Sequence, residues 1–160
     1  MLPVKIALLI FCFTIVTATT VKQCKKGQPF PLNVTINDCE EPPCNIVKGT
    51  TAIMDMHFVS TKDNIRKLTA KVSATTLGLT VPYDLPEEVS DVCSNLLYGA
   101  ICPIDETEDV VYRLNFYIDY LYPEISVKVE VSLMDEDNES VACFNVDIKV
   151  KKGASAALIE

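Results

Sequence analysis

Cysteine is the residue type whose number and spacing most directly predict chemistry in this chain of 160 residues. Of its 7 cysteines, Cys12 lies within an apolar N-terminal segment. The other six lie at positions 24, 39, 44, 93, 102 and 143. Cys39 and Cys44 form one couple that is close in sequence, and Cys93 and Cys102 form another. An even set of cysteines behind a secretory leader predicts a disulfide framework, although spacing alone does not choose among the possible pairings.

The remaining two cysteines, Cys24 and Cys143, stand near opposite ends of the mature chain. A bond between them would join the first strand to the last and close the longest loop, which is worth about 5 kcal/mol in the chain-entropy model. We expect such a bond to hold two sheets together even where the space between them is incompletely filled. The cysteines therefore favour a small exported domain with a binding function over an enzyme.

Other residues with catalytic or metal-binding chemistry form no convincing set. His57 is the only histidine, and no serine or cysteine stands at a spacing that predicts a catalytic triad with it. The acidic run with Asp135, Asp137 and Glu139 offers oxygen ligands for calcium but lacks the glycine of a calcium-binding loop. Paired carboxylates also serve glycoside hydrolysis, yet acidic turns usually just face water. We expect a surface histidine and no enzyme activity, metal or cofactor.

Residues 1–18 have the features of a secretory signal peptide. Lys5 precedes an apolar run from Ile6 to Val16 that is too short to span a membrane, and Ala18 suits a cleavage site. We expect cleavage after Ala18, with Thr20 as the alternative, leaving a chain of one-domain size. The formal net charge is −8 and Lys5 is the one charged residue of the leader, so the mature chain is more acidic still. This charge argues against nucleic acid as a partner and against binding to anionic membranes through charge alone.

Alternation of apolar and polar residues dominates the mature chain and predicts half-buried β-strands. The alternating stretches are 33–37, 52–58, 68–74, 112–119, 127–133 and 144–150. Six or seven such strands between turn residues predict an all-β, two-sheet antiparallel sandwich. The stretch from Pro86 to Leu97 has some helical character. We expect one domain over 19–150, followed by a mobile tail over 151–160.

The inward faces of the predicted strands combine small and adaptable side chains. Ala52, Ala70 and Ala74 are small, and Met54 and Met56 are flexible enough to repack around a guest. Small residues that face each other across a sandwich leave a gap, which would form an apolar pocket. An ordinary dry core with compensating volumes is the alternative, and composition alone favours it.

Three segments carry a resemblance to a known family. They are VPYDLPEEVSDVC (81–93), ICPI (101–104) and DYLYPEISVKVEVSLMDEDNESVACFNVDIKV (119–150). In this order they resemble the Niemann-Pick type C2 family of secreted lipid carriers, which share the ML lipid-recognition domain. The likeness runs from Cys24 to Val150 and includes Pro42 and Pro43 inside the first cysteine couple, with Lys48-Gly49 just beyond.

The resemblance implies both the fold and the disulfide pairing. The fold would be an immunoglobulin-like antiparallel sandwich with an apolar pocket between its sheets, open at one end. The implied pairs are Cys24–Cys143, Cys39–Cys44 and Cys93–Cys102.

The resemblance also places the mouth of the pocket. The family's Val-Pro-Phe-Pro segment matches Val81-Pro82-Tyr83-Asp84, and the valine and tyrosine that follow it in the family match Ile118 and Tyr122. Tyr83 and Asp84 replace a phenylalanine and a proline, and Tyr117 stands where the family has another proline. These departures imply a more polar entrance and a ligand with a polar head there, such as a fatty acid or the hydroxyl of a sterol.

The resemblance and the inward strand faces together define the residues expected to contact the ligand. They are Met54, Met56, Phe58, Leu68, Val72, Leu79, Val81, Pro82, Tyr83, Leu114, Phe116, Ile118, Tyr122, Val129, Val131, Phe144 and Val146. We expect a monomeric carrier of one hydrophobic small molecule (a sterol, fatty acid or similar lipid or semiochemical), which it hands to membranes or a membrane receptor. An innate-immune recognition module for microbial lipids is one alternative, and a hydrolase or adhesion domain with a filled core is another.

Two N-glycosylation sequons are present, Asn33-Val34-Thr35 and Asn138-Glu139-Ser140. Both asparagines are predicted glycosylation sites, and an unmodified surface asparagine is the alternative for each. The lysosomal members of the resembled family carry a glycan in the second strand, where this chain has Asp55 and His57 and no sequon. We therefore expect a secreted, extracellular protein.

Overall fold

The structure is a computed structural model that describes residues 17–153. Most of the predicted leader (1–16) and residues 154–160 of the predicted tail lie outside this range. The strands are β1 (Lys22–Gln23), β2 (Asn33–Ile36), β3 (Cys44–Val47), β4 (Thr51–Val59), β5 (Leu68–Thr76), β6 (Leu79–Tyr83), β7 (Asp109–Tyr117), β8 (Ser126–Asp135) and β9 (Ser140–Lys151). One short helix, α1 (Glu87–Ser90), and two 3-10 turns (Lys25–Gly27 and Cys93–Asn95) complete the described secondary structure.

The strands form two sheets that face each other. The large sheet has the order β1-β9-β8-β5-β6, with β3 pairing on β9, and the small sheet has the order β2-β4-β7. The predicted all-β, two-sheet sandwich is confirmed, and the six alternating stretches correspond to β2, β4, β5, β7, β8 and β9. One pairing departs from the antiparallel expectation, because β3 runs parallel to β9.

Three strands were not predicted, for different reasons. β1 has only 2 residues, β3 (CNIV) has adjacent apolar residues in place of alternation, and β6 (LTVPY) contains Pro82, which counts against a strand. The segment with helical character resolves into α1 and the 3-10 turn at Cys93–Asn95. At the other end of the chain, β9 continues to Lys151, which accepts a hydrogen bond from the backbone N–H of Lys48. The last strand thus includes the first residue of the predicted tail.

All three disulfide pairs expected from the resemblance are present. The expectation that the Cys24–Cys143 bond holds the two sheets together is wrong. Cys24 follows β1 and Cys143 lies in β9, and these strands are neighbours in the large sheet, so their bond does not connect the sheets. The connection is made by Cys39, which follows β2 of the small sheet, and Cys44, which begins β3 of the large sheet.

One end of the sandwich is closed by α1 and the turn that follows it. The Tyr112 hydroxyl, fully buried on β7, donates a hydrogen bond to the carbonyl of Val89 in α1 at 2.8 Å. The backbone N–H of Val92 donates to the carbonyl of Leu68 on β5 at 3.0 Å. α1 and the segment after it are thereby fastened to one strand of each sheet at this end of the core. No helix among the residues that the structure describes is long and apolar enough to cross a membrane.

Candidate functional site

Inward-facing side chains lose their burial steadily with distance from the end covered by α1. On β8, Leu133 and Val131 are 0% and 4% exposed, whereas Val129 and Val127, farther along the same face, are only half-buried. The inward faces of β4, β5 and β7 show the same trend. The two sheets therefore enclose a packed core at one end and diverge toward the β5–β6 hairpin.

The edge strand β6 shows the strongest form of this trend. Tyr83, Val81 and Leu79 are 37%, 60% and 72% exposed, although they lie opposite inward-facing positions of β5. β6 is the edge strand of the large sheet, and Tyr83, the least exposed of these three residues, is the one that meets Phe116 of the small sheet. Pro82 lies opposite Ser73 on the outer face, so it is directed away from the space between the sheets. The result is an apolar wall that stays open to solvent along one edge.

Three aromatic side chains meet across this open edge, and we call them the aromatic gate: Tyr83 of β6, Phe116 of β7 and Tyr122 of the β7–β8 loop. The ring of Tyr83 meets Phe116 edge-on at 5.0 Å and Tyr122 edge-on at 6.1 Å, and Phe116 and Tyr122 stack at 6.4 Å. The Tyr122 hydroxyl donates a hydrogen bond to the Tyr83 hydroxyl, with 2.6 Å between the oxygens. Edge-to-face contacts of this kind are favourable for aromatic rings. The gate joins the edge of the large sheet to the small sheet.

The loop that carries Tyr122 is fixed to the body of the domain. The backbone N–H of Ile118 donates to the carbonyl of Thr50, and the N–H of Gly49 donates to the carbonyl of Ile118. A side chain at Gly49, whose φ is +81°, would overlap the ring of Tyr120, which lies over it. One half of the gate is therefore anchored, whereas the other half lies on an edge strand.

The electrostatic surroundings of the gate are acidic or neutral. Burial, the hydrogen bond to Tyr83 and the nearby carboxylate of Asp119 together raise the pKa of the Tyr122 hydroxyl, which stays protonated at neutral pH. Asp119 accepts a hydrogen bond from the backbone N–H of Leu121 at 2.8 Å and shapes the turn. Asp84, next to Tyr83, is exposed. Tyr83, Tyr122 and their acidic neighbours thus form a polar border around an apolar interior.

The predicted contact residues divide into two groups by burial. Those that are buried are Met54, Met56, Phe58, Leu68, Val72, Leu114, Ile118, Val131, Phe144 and Val146. Ile118 differs from the others in lying just beyond Phe116, beside the open end. Those at the open end are Leu79, Val81, Tyr83, Phe116, Tyr122 and Val129. Ala52, Ala74 and Val127 are also inward-facing and half-buried toward the open end and were not among the predicted contacts, although the same alternation would have included them.

Two surface concavities lie elsewhere and contain none of the predicted contact residues. The larger, of about 820 Å³, has a polar lining that includes Thr35, Asp55 and Arg113 on the outer face of the small sheet. Arg113 and Asp55 already satisfy each other through two hydrogen bonds of 2.7 Å. The smaller, of about 490 Å³, lies beside His57 and Tyr98. Both are shallow features of the outside, so the gated edge remains the site where apolar surface is concentrated.

The residues considered for other chemistry have structural partners. His57 lies on the outer face of β4 and contacts the carboxylate of Asp109. Asp135 is 8% exposed and accepts hydrogen bonds from the ammonium group of Lys62 and from two backbone N–H groups of its own turn. Burial alone would raise the pKa of Asp135, but these donors hold it below its usual range. The acidic turn is thus built around the ammonium group of Lys62, from the loop between β4 and β5, which also contacts Glu139.

Comparison with known proteins agrees with this architecture. Residues 18–150 match the family model of the ML domain. The NPC intracellular cholesterol transporter 2 of Bos taurus is 29% identical over 118 residues, which is 74% of this chain and 75% of that protein. NPC intracellular cholesterol transporter 2 homolog a of Drosophila melanogaster is 25% identical over 120 residues, which is 74% of this chain and 78% of that protein.

Two solved structures share the fold. A Niemann-Pick type C2 protein from the Japanese carpenter ant has a TM-score of 0.73 at 21% identity, covering 82% of this chain and 99% of that one. Chicken MD-1 complexed with lipid IVa has a TM-score of 0.53 at 22% identity, covering 81% of this chain and 86% of that one. The chain therefore belongs to the ML domain family, as its resemblance to the Niemann-Pick type C2 proteins predicted.

Proposed function

We propose that the chain is a soluble carrier that binds one hydrophobic ligand between its two sheets at the gated edge. The observation that carries this proposal is the loss of burial along the inward faces, which leaves Val127, Val129, Val81 and Leu79 accessible although they face the interior. Apolar surface of this kind is unfavourable in water and is stabilised when a guest covers it, by about 25 cal/mol for each Å² buried.

The interior next to the open edge suits an apolar guest. Met54 and Met56 lie behind it on β4, and their flexible side chains adapt to guests of different shape. The inward faces of β4, β5 and the part of β8 from Val127 to Leu133 carry no charge, because the charged residues there alternate outward. The buried Asp135 lies at the opposite end of β8 and is paired with Lys62. The names of the bovine and insect relatives, which describe cholesterol transport, support a lipid as the guest.

The binding affinity expected for a lipid favours exchange of the ligand over its long-term storage. A sterol or long-chain lipid has roughly 20 to 28 heavy atoms, and about −0.3 kcal/mol per atom gives about −6 to −8 kcal/mol. This corresponds to a dissociation constant of about 1 to 40 μM. A carrier of this strength takes up cargo from one membrane and releases it to another or to a receptor. Uptake and release require the gate to open, and no covalent bond is made or broken.

The proposed location is extracellular, with the leader removed and the mature chain acting as a monomer. Glycans are proposed at Asn138 and Asn33.

A recognition module for microbial lipids is the second candidate function, and the ML fold shared with MD-1 is consistent with it. The charges beside the gate, the exposed Asp84 and the half-buried Asp119, are acidic, which disfavours anionic microbial lipids, and the carrier is therefore preferred.

Native mass spectrometry of protein secreted by its own tissue tests the proposal directly. We expect one non-covalent hydrophobic molecule per chain, removed by organic extraction and restored by incubation with donor vesicles. A fluorescent sterol offered to the extracted protein should show saturable, one-to-one binding that cold lipid displaces. Extracted protein that binds neither sterol nor long-chain lipid would overturn the proposed function.

A further inference from the structure

Thr19 is the first residue after the expected cleavage point, and it is the only buried one among residues 17–23. It is 3% exposed, whereas Thr17, Ala18 and Thr20 around it are exposed. Its backbone N–H donates a hydrogen bond to the carbonyl of Val34 on β2, with 2.8 Å between nitrogen and oxygen. The first residue expected in the mature chain is therefore held by the fold and is not a free end.

The hydroxyl group of Thr19 connects two further parts of the chain. It donates to the carbonyl of Cys39 and accepts a hydrogen bond from the backbone N–H of Ile36 at 2.8 Å. Ile36 ends β2, which is an edge strand of the small sheet, and Cys39 belongs to the disulfide that connects the two sheets. Thr19 thus covers the free edge of β2 next to this disulfide. Without its hydroxyl, a part-buried N–H would lose its partner, which is costly.

Two carboxylates lie alongside the same segment. The carboxylate of Glu40 accepts a hydrogen bond from the hydroxyl of Thr17 at 2.8 Å, and its backbone carbonyl accepts one from the N–H of Thr20 at 2.9 Å. The carboxylate of Glu41 accepts from the hydroxyl of Thr20 at 3.2 Å. Thr17 and Glu40 both line the larger of the two surface concavities. The side-chain partner of Glu40 therefore belongs to the expected leader and leaves with it.

We propose that a signal peptidase cuts the chain between Ala18 and Thr19 and that the new terminus becomes an N-terminal anchor, in which the fold binds the α-ammonium group of Thr19. The partners of this group are the Val34 carbonyl and the Glu40 carboxylate. Cleavage at the alternative point, after Thr20, would remove Thr19 and every hydrogen bond that it makes. The inference shares with the proposed carrier function only the removal of the leader, and it does not depend on the ligand.

Cleavage is a hydrolysis that consumes one water molecule. The water oxygen bonds to the carbonyl carbon of Ala18, the C–N bond breaks, and Ala18 leaves with the leader as a carboxylate. The nitrogen stays on Thr19 as an ammonium group, which carries a positive charge at neutral pH. Three donors thus replace one N–H. One keeps the bond to Val34. A second is available to Glu40, whose former partner Thr17 has left, and the third faces water where Ala18 was exposed.

The first test is the N-terminal sequence of the protein that eukaryotic cells secrete from the full chain. The N-terminal anchor requires Thr19 as the first residue. A secreted chain that begins at Val21, or at any residue before Thr19, would overturn the inference. Neither result bears on ligand binding, which the fluorescent sterol measures separately.

A double-mutant cycle tests the charge pair. The chain that begins at Thr19 is prepared with a free and with an acetylated α-amino group, each with and without Glu40→Gln, and thermal unfolding is measured at neutral pH and low ionic strength. In the free form Glu40→Gln should lower the melting temperature by about 2 to 4 °C, the shift expected for one exposed ion pair. In the acetylated form, whose terminus is uncharged, it should cause no shift. Glu41→Gln is the matched control and should cause the same shift in both forms, because its carboxylate contacts the hydroxyl of Thr20.

Two substitutions of Thr19 test the hydroxyl part of the anchor. Thr19→Ser keeps the hydroxyl and should melt close to wild type. Thr19→Val leaves the N–H of Ile36 without a partner and should melt about 4 to 12 °C lower. A Thr19→Val chain as stable as Thr19→Ser would overturn the anchor, and equal shifts of Glu40→Gln in the free and acetylated forms would overturn the pairing with the ammonium group. A shift confined to the free form, in a protein secreted with Thr19 first, supports the inference.

Discussion

Cys39, just beyond the last residue of β2, is bonded to Cys44, the first residue of β3, so the shortest disulfide loop of the chain is the one that crosses between the sheets. Its sequence separation is only 5 residues, compared with 119 for Cys24 and Cys143. In the chain-entropy model the Cys24–Cys143 bond stabilises the fold more, because it closes the longer loop. The Cys39–Cys44 bond stabilises it less, but it is the one that connects the two sheets. The two bonds therefore have different effects that experiment separates.

Removing each bond by paired Cys→Ala substitution should show this difference. Loss of Cys24–Cys143 should lower the free energy of unfolding by about 5 kcal/mol, and loss of Cys39–Cys44 by about 2 kcal/mol. In native-state hydrogen exchange, loss of Cys39–Cys44 should instead increase exchange in β2, whereas loss of Cys24–Cys143 should increase it in β1. Equal stability losses, or increased exchange of β2 in the variant without Cys24–Cys143, would contradict the assignment.

The acidic turn predicts a specific dependence of stability on pH. Although burial opposes it, donation from Lys62 and the turn's backbone lowers the folded-state pKa of Asp135 below its ordinary value of 3.8. A lowered folded-state pKa means that Asp135 stabilises the fold above the unfolded-state pKa and loses this contribution as the pH falls through the folded-state value. Urea unfolding at pH 7 should show Asp135→Asn to be less stable than wild type by about 1 to 3 kcal/mol.

That difference should begin to shrink as the pH falls below about 4, where the unfolded-state carboxylate is protonated, and should disappear only below the folded-state pKa. Asp137→Asn, an exposed residue of the same turn, is the control and should follow the wild-type profile at both pH values. A difference between Asp135→Asn and wild type that stays constant down to pH 2 would show that the pairing with Lys62 does not control this part of the stability.

The exposed turn between β8 and β9 should carry a glycan when the chain passes through a eukaryotic secretory pathway. Asn138 is exposed, with φ of 58°, and its side-chain oxygen accepts a hydrogen bond from Lys71 at 3.1 Å. Glycosylation modifies the amide nitrogen, so it leaves this contact in place. Glycosidase digestion should lower the mass of secreted wild type by one more glycan than it does for Ser140→Ala, which removes the sequon and keeps Asn138. Equal mass changes would exclude this site.

The longer strands could be predicted from local alternation, and the disulfide pairs from the family resemblance. Contacts between residues that are far apart in sequence could not be predicted. The alternation at 127–133 correctly predicts that Val129 and Val131 share a face. It does not reveal that Val131 is buried and Val129 half-buried, because that difference depends on how far the other sheet covers β8 along its length. The bond between Tyr83 and Tyr122 joins residues 39 positions apart, and its geometry requires the folded β7–β8 loop.

The divergence of the sheets predicts unequal costs for the same substitution on one strand face. Val131→Ala removes two methyl groups from a closely packed part of β8, whereas Val127→Ala removes them from a half-buried part near the open end. At about 0.8 kcal/mol for each buried carbon plus a cavity penalty, Val131→Ala should cost about 2 kcal/mol. Val127→Ala should cost less than about 1 kcal/mol for the same change, because less area is buried. Chemical denaturation measures both, and equal costs would indicate a uniformly filled core.

Filling the open end should remove ligand binding without unfolding the protein. Ala74 faces inward on β5, opposite Val81 of β6 and Val129 of β8, and it is half-buried, so a phenyl group there has room to enter the space between the sheets. If it displaces about five heavy atoms of a ligand, the loss of about 1.5 kcal/mol corresponds to about a tenfold weaker affinity. Thr75→Phe makes the matching change one residue along, on the outer face, and should bind a fluorescent sterol like wild type.

Thermal unfolding of both variants completes the test, because a ligand-free Ala74→Phe protein should melt close to wild type if the phenyl group occupies open space. A large loss of stability in Ala74→Phe would mean that the region is already filled, as in a sandwich with a dry core. Unchanged affinity in a well-folded Ala74→Phe protein would place the ligand away from the gated edge. Only weaker binding with retained stability agrees with a guest held between β5, β6 and β8.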